Sequence, residues 1–197
     1  MSGRLIFVTG GARSGKSTFA EELARSQGGR VAYVATALVA DEEMARRVEK
    51  HRERRPKDWA TVECTGRLSE ALALAAAEHD VIVVDCLTVY IARLLPLLGE
   101  ETADEATEAE ACERMDRELD EVVAAVRSGG AEVIVVSNEV GSGLVPAYPS
   151  GRLFRDMVGR ANQRMATEAD FAYLVVAGVP LDLRALQATR FPWRHGD

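Results

Sequence analysis

The residues with the clearest chemical content stand near the start of the chain. Gly10, Gly11, Ala12, Arg13, Ser14, Gly15, Lys16 and Ser17 spell G-x-x-x-x-G-K-S. They lie between the apolar run Leu5–Thr9 and a helical pattern over Ser17–Ser26. In a strand-to-helix context this spacing makes a phosphate-binding loop. Its glycines let backbone N–H groups turn inward on a phosphate chain, and the helix N-terminus adds partial positive charge. Lys16 reaches β/γ-phosphates, and the Ser17 hydroxyl is a ligand for Mg²⁺. A nucleoside triphosphate is the expected ligand. The loop alone does not say what becomes of the phosphate.

Other candidates follow along the chain. Asp85 ends the run Val81–Val84, as an acidic metal ligand at a strand end would; the plain alternative is a strand-terminal cap. Ser137, Asn138 and Glu139 follow Val133–Val136 and lead into Gly141 and Gly143, which suits a substrate-contacting loop or an ordinary turn. Asn138 can donate and accept, and Glu139 is a candidate base or hydroxyl ligand. The segment Asp41–Arg55 places Asp41, Glu42 and Glu43 in its first turn and Arg46, Arg47, Lys50, Arg52, Arg54 and Arg55 beyond. That polarity complements a helix dipole. His51 lies among the guanidinium groups, which disfavour its cationic form and leave a neutral, nucleophilic imidazole accessible near pH 7. Met44 and Val48 share its stripe, so an edge-of-core histidine is the competing reading. Arg152, Arg155 and Asp156 share one helical face, either an anion site or a solvated surface.

These residues need elements to position them. The runs Leu5–Thr9, Val31–Ala35, Val81–Asp85, Glu132–Ser137 and Ala172–Ala177 are continuously apolar rather than alternating, as in parallel strands buried on both faces. Helical patterns cover Ser17–Ser26, Asp41–Arg55, Leu68–Glu78, Ala103–Arg127 and Arg152–Ala169. The alternation predicts a doubly wound α/β fold with a mostly parallel sheet and ligands at the strands' carboxyl ends. Leu87–Leu98 reads as a loop or short helix, in the core or at a subunit contact. One domain is expected over residues 1–183, with an unpatterned tail over 184–197.

Composition narrows the class. The chain has 197 residues, 47% of them hydrophobic, enough for one core. A net charge of −7 argues against broad attraction to nucleic acid. Cys64, Cys86 and Cys112 form no C-x-x-C pair, so neither a zinc site nor a disulfide framework is predicted. No membrane span and no leader are expected, which suits a cytoplasmic protein. On these residues alone, a single-function small-molecule kinase and a non-catalytic nucleotide switch both stand beside more elaborate chemistry.

A more specific pattern emerges when the blocks are taken together. Thr9–Ser17, Tyr33–Thr36, Asp41–Met44 with Arg47, His51–Trp59, Asn138–Gly141 and Gly159–Gln163 occur in this order. The set closely resembles the bifunctional adenosylcobinamide kinase/adenosylcobinamide-phosphate guanylyltransferase family, from about residue 4 to residue 180. The resemblance implies a RecA-like nucleotide-binding fold and assembly as a homotrimer. It implies two reactions: phosphorylation of adenosylcobinamide by ATP or GTP, then transfer of GMP from GTP to that phosphate, giving adenosylcobinamide-GDP. It implies that His51 carries GMP covalently and that Lys16 serves phosphoryl transfer. Nucleotide contacts implied by the family are Gly10, Gly11, Ala12, Arg13, Ser14, Gly15, Lys16, Ser17, Ala35, Thr36, Ala37, Arg52, Glu53, Arg54, Arg55, Glu63 and Asp85, with Mg²⁺ on Ser17 and Asp85. Where the family pattern often has Glu, this chain has Asp85, one methylene shorter, which suits ligation through a water.

Overall fold

A computed structural model describes residues 2–37, 56–95 and 105–186. Its centre is a seven-stranded sheet in the order β3-β2-β4-β5-β1-β6-β7. The strands are β1 (Arg4–Thr9), β2 (Val31–Ala35), β3 (Ala60–Glu63), β4 (Val81–Asp85), β5 (Glu132–Val136), β6 (Phe171–Val176) and β7 (Val179–Asp182). All neighbours pair in parallel except β6 and β7, which are antiparallel. The helices are α1 (Lys16–Gln27), α2 (Leu68–Ala76), α3 (Leu87–Ala92), α4 (Glu105–Gly129), α5 (Pro149–Glu168) and the short α6 (Leu183–Leu186).

Period-two alternation divides the strand residues between two cores. Leu5, Phe7, Val34, Ile82, Val84, Val133 and Val135 face one side and meet Leu68 and Leu72 of α2, Met115 and Leu119 of α4, and Met157 and Met165 of α5. Ile6, Val8, Tyr33, Val83, Ile134 and Val136 face the other and meet Ala20 and Ala24 of α1. Both faces are covered, which is why these runs carry no polar alternation. The expected doubly wound architecture is therefore present. Leu87, Ile91 and Leu94 are buried in the first core, so the apolar stretch from Leu87 to Leu94 is core; Leu98 lies outside the described residues.

Two strands escape the sequence reading. β3 has four residues and is only half-buried. β7 is largely exposed and contains Pro180, which a sheet tolerates at an edge. The predicted helix over Asp41–Arg55 and the tail from 187 onward lie outside the described residues.

Topology sets the site. The chain leaves β1 through α1 towards β2 on one side of the sheet, and leaves β5 through α5 towards β6 on the other. Those two helices pack on opposite faces. The carboxyl ends of β1 and β5 thus flank a switch-point crevice, where open α/β sheets bind ligands. β4 follows next to β5. With strands about 4.8 Å apart, the ends of β1 and β4 are separated by about 10 Å, a span that a metal-bound triphosphate can bridge.

Candidate nucleotide-binding site

The loop after β1 is shaped by close packing and by left-handed backbone. A Cβ on Gly10 would fall 2.5 Å from the Val175 carbonyl oxygen, so only glycine lets the chain pass β6 there. Arg13 and Gly15 have φ of 58° and 94°, and Gly15 caps α1 without a side-chain hydrogen bond. The first N–H groups of the helix are thus not blocked by a cap, as an anion site requires. The turn between β6 and β7 supports the loop from outside: the Gly178 N–H donates to the Ser14 carbonyl at 2.8 Å.

Lys16 is buried, and its ammonium donates to the Gly11 carbonyl at 3.1 Å. Burial pushes its pKa below the ordinary lysine value, while the charge of Asp85 pulls in the opposite direction. The lysine and the acid at the end of β4 therefore sense one another across β5. The Thr9 and Ser14 hydroxyls are buried beside the loop with no hydrogen-bond partner among the described residues. Ser17 in the first turn of α1 and Asp85 are both half-buried. Their oxygens are the hard donors that suit Mg²⁺, which ordinarily takes few protein ligands and completes its shell with phosphate and water.

The remaining predicted residues divide into three groups. Ala35 pairs in register with Glu63 on one side and Asp85 on the other, so all three reach the carboxyl edge together. Ala37 follows, half-buried, and Glu63 is exposed. Thr36 is fully buried: its hydroxyl donates to the Cys86 carbonyl and accepts the Cys86 N–H, both at 2.8 Å. It thereby ties the end of β2 to the residue after Asp85. Asn138 and Glu139 extend β5, and the Glu139 N–H donates to the Gly10 carbonyl at 2.9 Å, so this segment is joined to the phosphate loop. His51, Arg52, Glu53, Arg54 and Arg55 lie outside the described residues.

Arg93, which shapes this edge, gave little signal in sequence. Arg93 donates to the carbonyls of Cys64 at 2.5 Å, Thr65 at 2.8 Å and Gly66 at 3.2 Å, fixing the turn beyond Glu63. Arg152 holds the Pro146 and Ala147 carbonyls, and Arg155 pairs with Asp156. Arg152 therefore has a structural task. With Asp156 and Arg160 it also lines an open groove of about 490 Å³ between α4 and α5, together with Cys112 and Glu108. Acids and bases alternate there, and none of the predicted nucleotide contacts borders it. Cys86 touches the site, but burial and then the neighbouring Asp85 charge push its thiol up to about 11, which rules it out as a thiolate near neutrality.

A phosphate loop after β1 and an acid at the end of β4, at the carboxyl edge beside a switch point, define an α/β protein of the phosphate-loop class. A sequence profile described as cobinamide kinase / cobinamide phosphate guanyltransferase matches residues 6–183. The bifunctional adenosylcobalamin biosynthesis protein CobU of Salmonella typhimurium is 41% identical over 181 residues, covering 91% of this chain and 99% of its own. The protein of the same name from Escherichia coli is 38% identical over 91% of this chain and 99% of its own. The bifunctional adenosylcobalamin biosynthesis protein CobP of Pseudomonas aeruginosa is 36% identical over 90% of this chain and 95% of its own. The chain belongs to the cobinamide kinase / cobinamide phosphate guanyltransferase family. Among the described residues, no helix is long and apolar enough to cross a membrane.

Proposed function

We propose that this protein catalyses two successive reactions of cobalamin assembly. It phosphorylates adenosylcobinamide with ATP or GTP, then transfers GMP from GTP to the new phosphate. The observation that carries this is the buried Lys16 of the phosphate loop, at the same sheet edge as Asp85, in a chain matched to the family over residues 6–183.

In the first reaction the aminopropanol oxygen of cobinamide bonds to the γ-phosphorus. The bond to the β,γ-bridging oxygen breaks, and the nucleoside diphosphate leaves. Phosphoryl transfer needs little beyond positioning and electrostatics. Backbone N–H groups of Gly10–Ser17 hold the phosphates and Lys16 offsets their charge. Asn138 and Glu139 meet the acceptor, with Glu139 as the base that takes the hydroxyl proton, or as a ligand of the hydroxyl whose proton then passes to water. Ser17 and Asp85 would hold Mg²⁺, which supplies further charge neutralisation when bound.

In the second reaction the His51 imidazole nitrogen bonds to the α-phosphorus of GTP and pyrophosphate leaves. Arg52, Arg54 and Arg55 offset the developing charge, with Glu53, Ala35, Thr36, Ala37 and Glu63 at the nucleotide. A phosphate oxygen of cobinamide phosphate then takes the GMP, and the nitrogen–phosphorus bond breaks. The active assembly is a homotrimer in the cytoplasm.

The test is intact mass after incubation with GTP. A GMP adduct should form and be lost in His51→Ala, which keeps kinase turnover. An adduct that persists in His51→Ala would remove the histidine from the mechanism. No adduct on the parent protein, with kinase turnover present, would leave a single-function kinase. Light scattering at three times the chain mass is the matching check of the trimer.

A further inference from the structure

The Gly159–Gln163 block distinguishes the chain in sequence, yet none of its residues lines the phosphate loop. Asn162, on α5, is buried, as are Ser137 and Thr88. The three side chains close a ring around the peptide groups of Asn138. The Asn138 N–H donates to the Thr88 hydroxyl at 2.7 Å. The Thr88 and Ser137 hydroxyls lie 3.1 Å apart, and the Ser137 hydroxyl donates to the Asn162 Oδ1 at 2.6 Å. The Asn162 Nδ2 then donates to the Asn138 carbonyl at 3.0 Å.

The direction of every bond follows from the donor inventory. A backbone carbonyl accepts only, so the Nδ2 of Asn162 must face Asn138 and its Oδ1 must face Ser137. The single hydroxyl hydrogen of Ser137 goes to that oxygen, so the hydrogen between Thr88 and Ser137 comes from Thr88. No member is left unpaired, and buried networks rigidify when every member is satisfied.

The ring works against a second set of bonds. The Ser137 N–H donates to the Val8 carbonyl and the Glu139 N–H to the Gly10 carbonyl, both at 2.9 Å. Alternate peptides thus grip β1 and its loop, while the peptide groups of Asn138 between them are gripped by α3 and α5. The Asn138 side-chain Nδ2 lies 3.9 Å from the Cys86 sulfur, beside Asp85. Asn138 is therefore held between the phosphate loop and the acid of β4.

We propose that Asn162, acting with Thr88 and Ser137, is a positioning residue that fixes Asn138 against the phosphate loop for transfer to the acceptor. This rests on the reading of Asn138 as a site residue. Misplacement by about 1 Å costs on the order of 10²-fold in rate, so a loss of that order in kcat is expected without a comparable change in nucleotide affinity.

The experiment measures kcat, acceptor KM, GTP affinity and thermal midpoint for full-length Asn162→Leu, Asn138→Ala and the double variant. Thr88→Val and Thr88→Ser provide an isosteric pair if Asn162→Leu folds poorly. The expected result is a large fall in kcat for Asn162→Leu, no further fall in the double variant beyond Asn138→Ala, and recovery of turnover in Thr88→Ser relative to Thr88→Val. Wild-type turnover in Asn138→Ala would remove Asn138 from the site, and the proposal with it. A damaged Asn138→Ala beside an Asn162→Leu that loses only stability would keep Asn138 in the site and overturn the positioning role. Additive losses, or equal losses in Thr88→Val and Thr88→Ser, would overturn it as well.

Discussion

At the amino-terminal edge of the sheet, Arg127 of α4 donates to the Gly3 carbonyl, the Glu168 carbonyl and the Asp170 carboxylate. The same Asp170 oxygen accepts the Leu5 N–H at 2.7 Å. At the carboxyl-terminal edge, Lys16 is bonded to a carbonyl of its own loop, and the Thr9 and Ser14 hydroxyls are buried without partners among the described residues. The first edge turns its charged pair to the fold, although Glu132, paired with Arg4, keeps one buried oxygen unpartnered. The second edge holds the phosphate loop, whose buried lysine and two hydroxyls carry little or no pairing to other elements among the described residues. The same sheet thus has a stabilising end and a binding end, and substitutions at the two should separate stability from turnover.

The largest separation is expected at Lys16. Lys16→Ala should lower kinase turnover by on the order of 10²-fold or more, as when a preorganised electrostatic group is removed from a transition state. The ligand-free fold should not suffer. Burial lowers the Lys16 pKa, so keeping the ammonium charged in the folded state is unfavourable to folding at neutral pH. The variant should therefore melt at or above the parent temperature without nucleotide. A variant that melts far lower while keeping its turnover would reverse the roles assigned to the two ends.

Arg127→Ala is the counterpart. It removes three donors, leaving the Gly3 and Glu168 carbonyls and the Asp170 carboxylate without that partner. About a third of each charged side chain stays in water, so the summed bond energies are discounted to about 2 kcal/mol. For a domain of this length that is a fall of roughly 4–8 °C in melting temperature. Below the melting range, kcat should match the parent. A matching loss of kcat would mean that the amino-terminal edge reaches the site through β1.

The division between the ends also explains what was legible in the sequence. The phosphate loop could be read residue by residue because its chemistry depends on consecutive backbone groups. β1, β2, β4 and β5 were legible because burial on both faces demands continuous apolar runs. β7 was not, because an exposed antiparallel edge with Pro180 makes neither demand. Asn162 and Thr88 were illegible as scaffolding because their partners come from three separate elements, and no local spacing records a ring of that kind. The strand-end position of Ser137 and the Gly159–Gln163 block, which contains Asn162, were the available signals. Thr36 was placed among the nucleotide contacts, and the fold turns its hydroxyl inward to Cys86.

The smallest effect sharpens the same comparison through pH. Desolvation alone would raise the Asp170 pKa, but the Arg127 hydrogen bond, the Leu5 N–H and the Arg127 charge outweigh it, so the carboxyl lies below its ordinary value. A depressed folded-state pKa contributes stability that is fully present above the unfolded value, about 3.9 for Asp. That contribution fades as pH falls from the unfolded value through the folded one, because the unfolded chain takes up a proton that the paired carboxylate in the fold does not. Asp170→Asn keeps the size of the side chain and removes the titration. The difference in unfolding free energy between parent and variant should therefore be constant from about pH 5 to 8 and shrink below about pH 4. Urea titrations at several pH values read this directly, and a difference that stays constant down to pH 3 would show that the ionised carboxylate contributes nothing at the stabilising end.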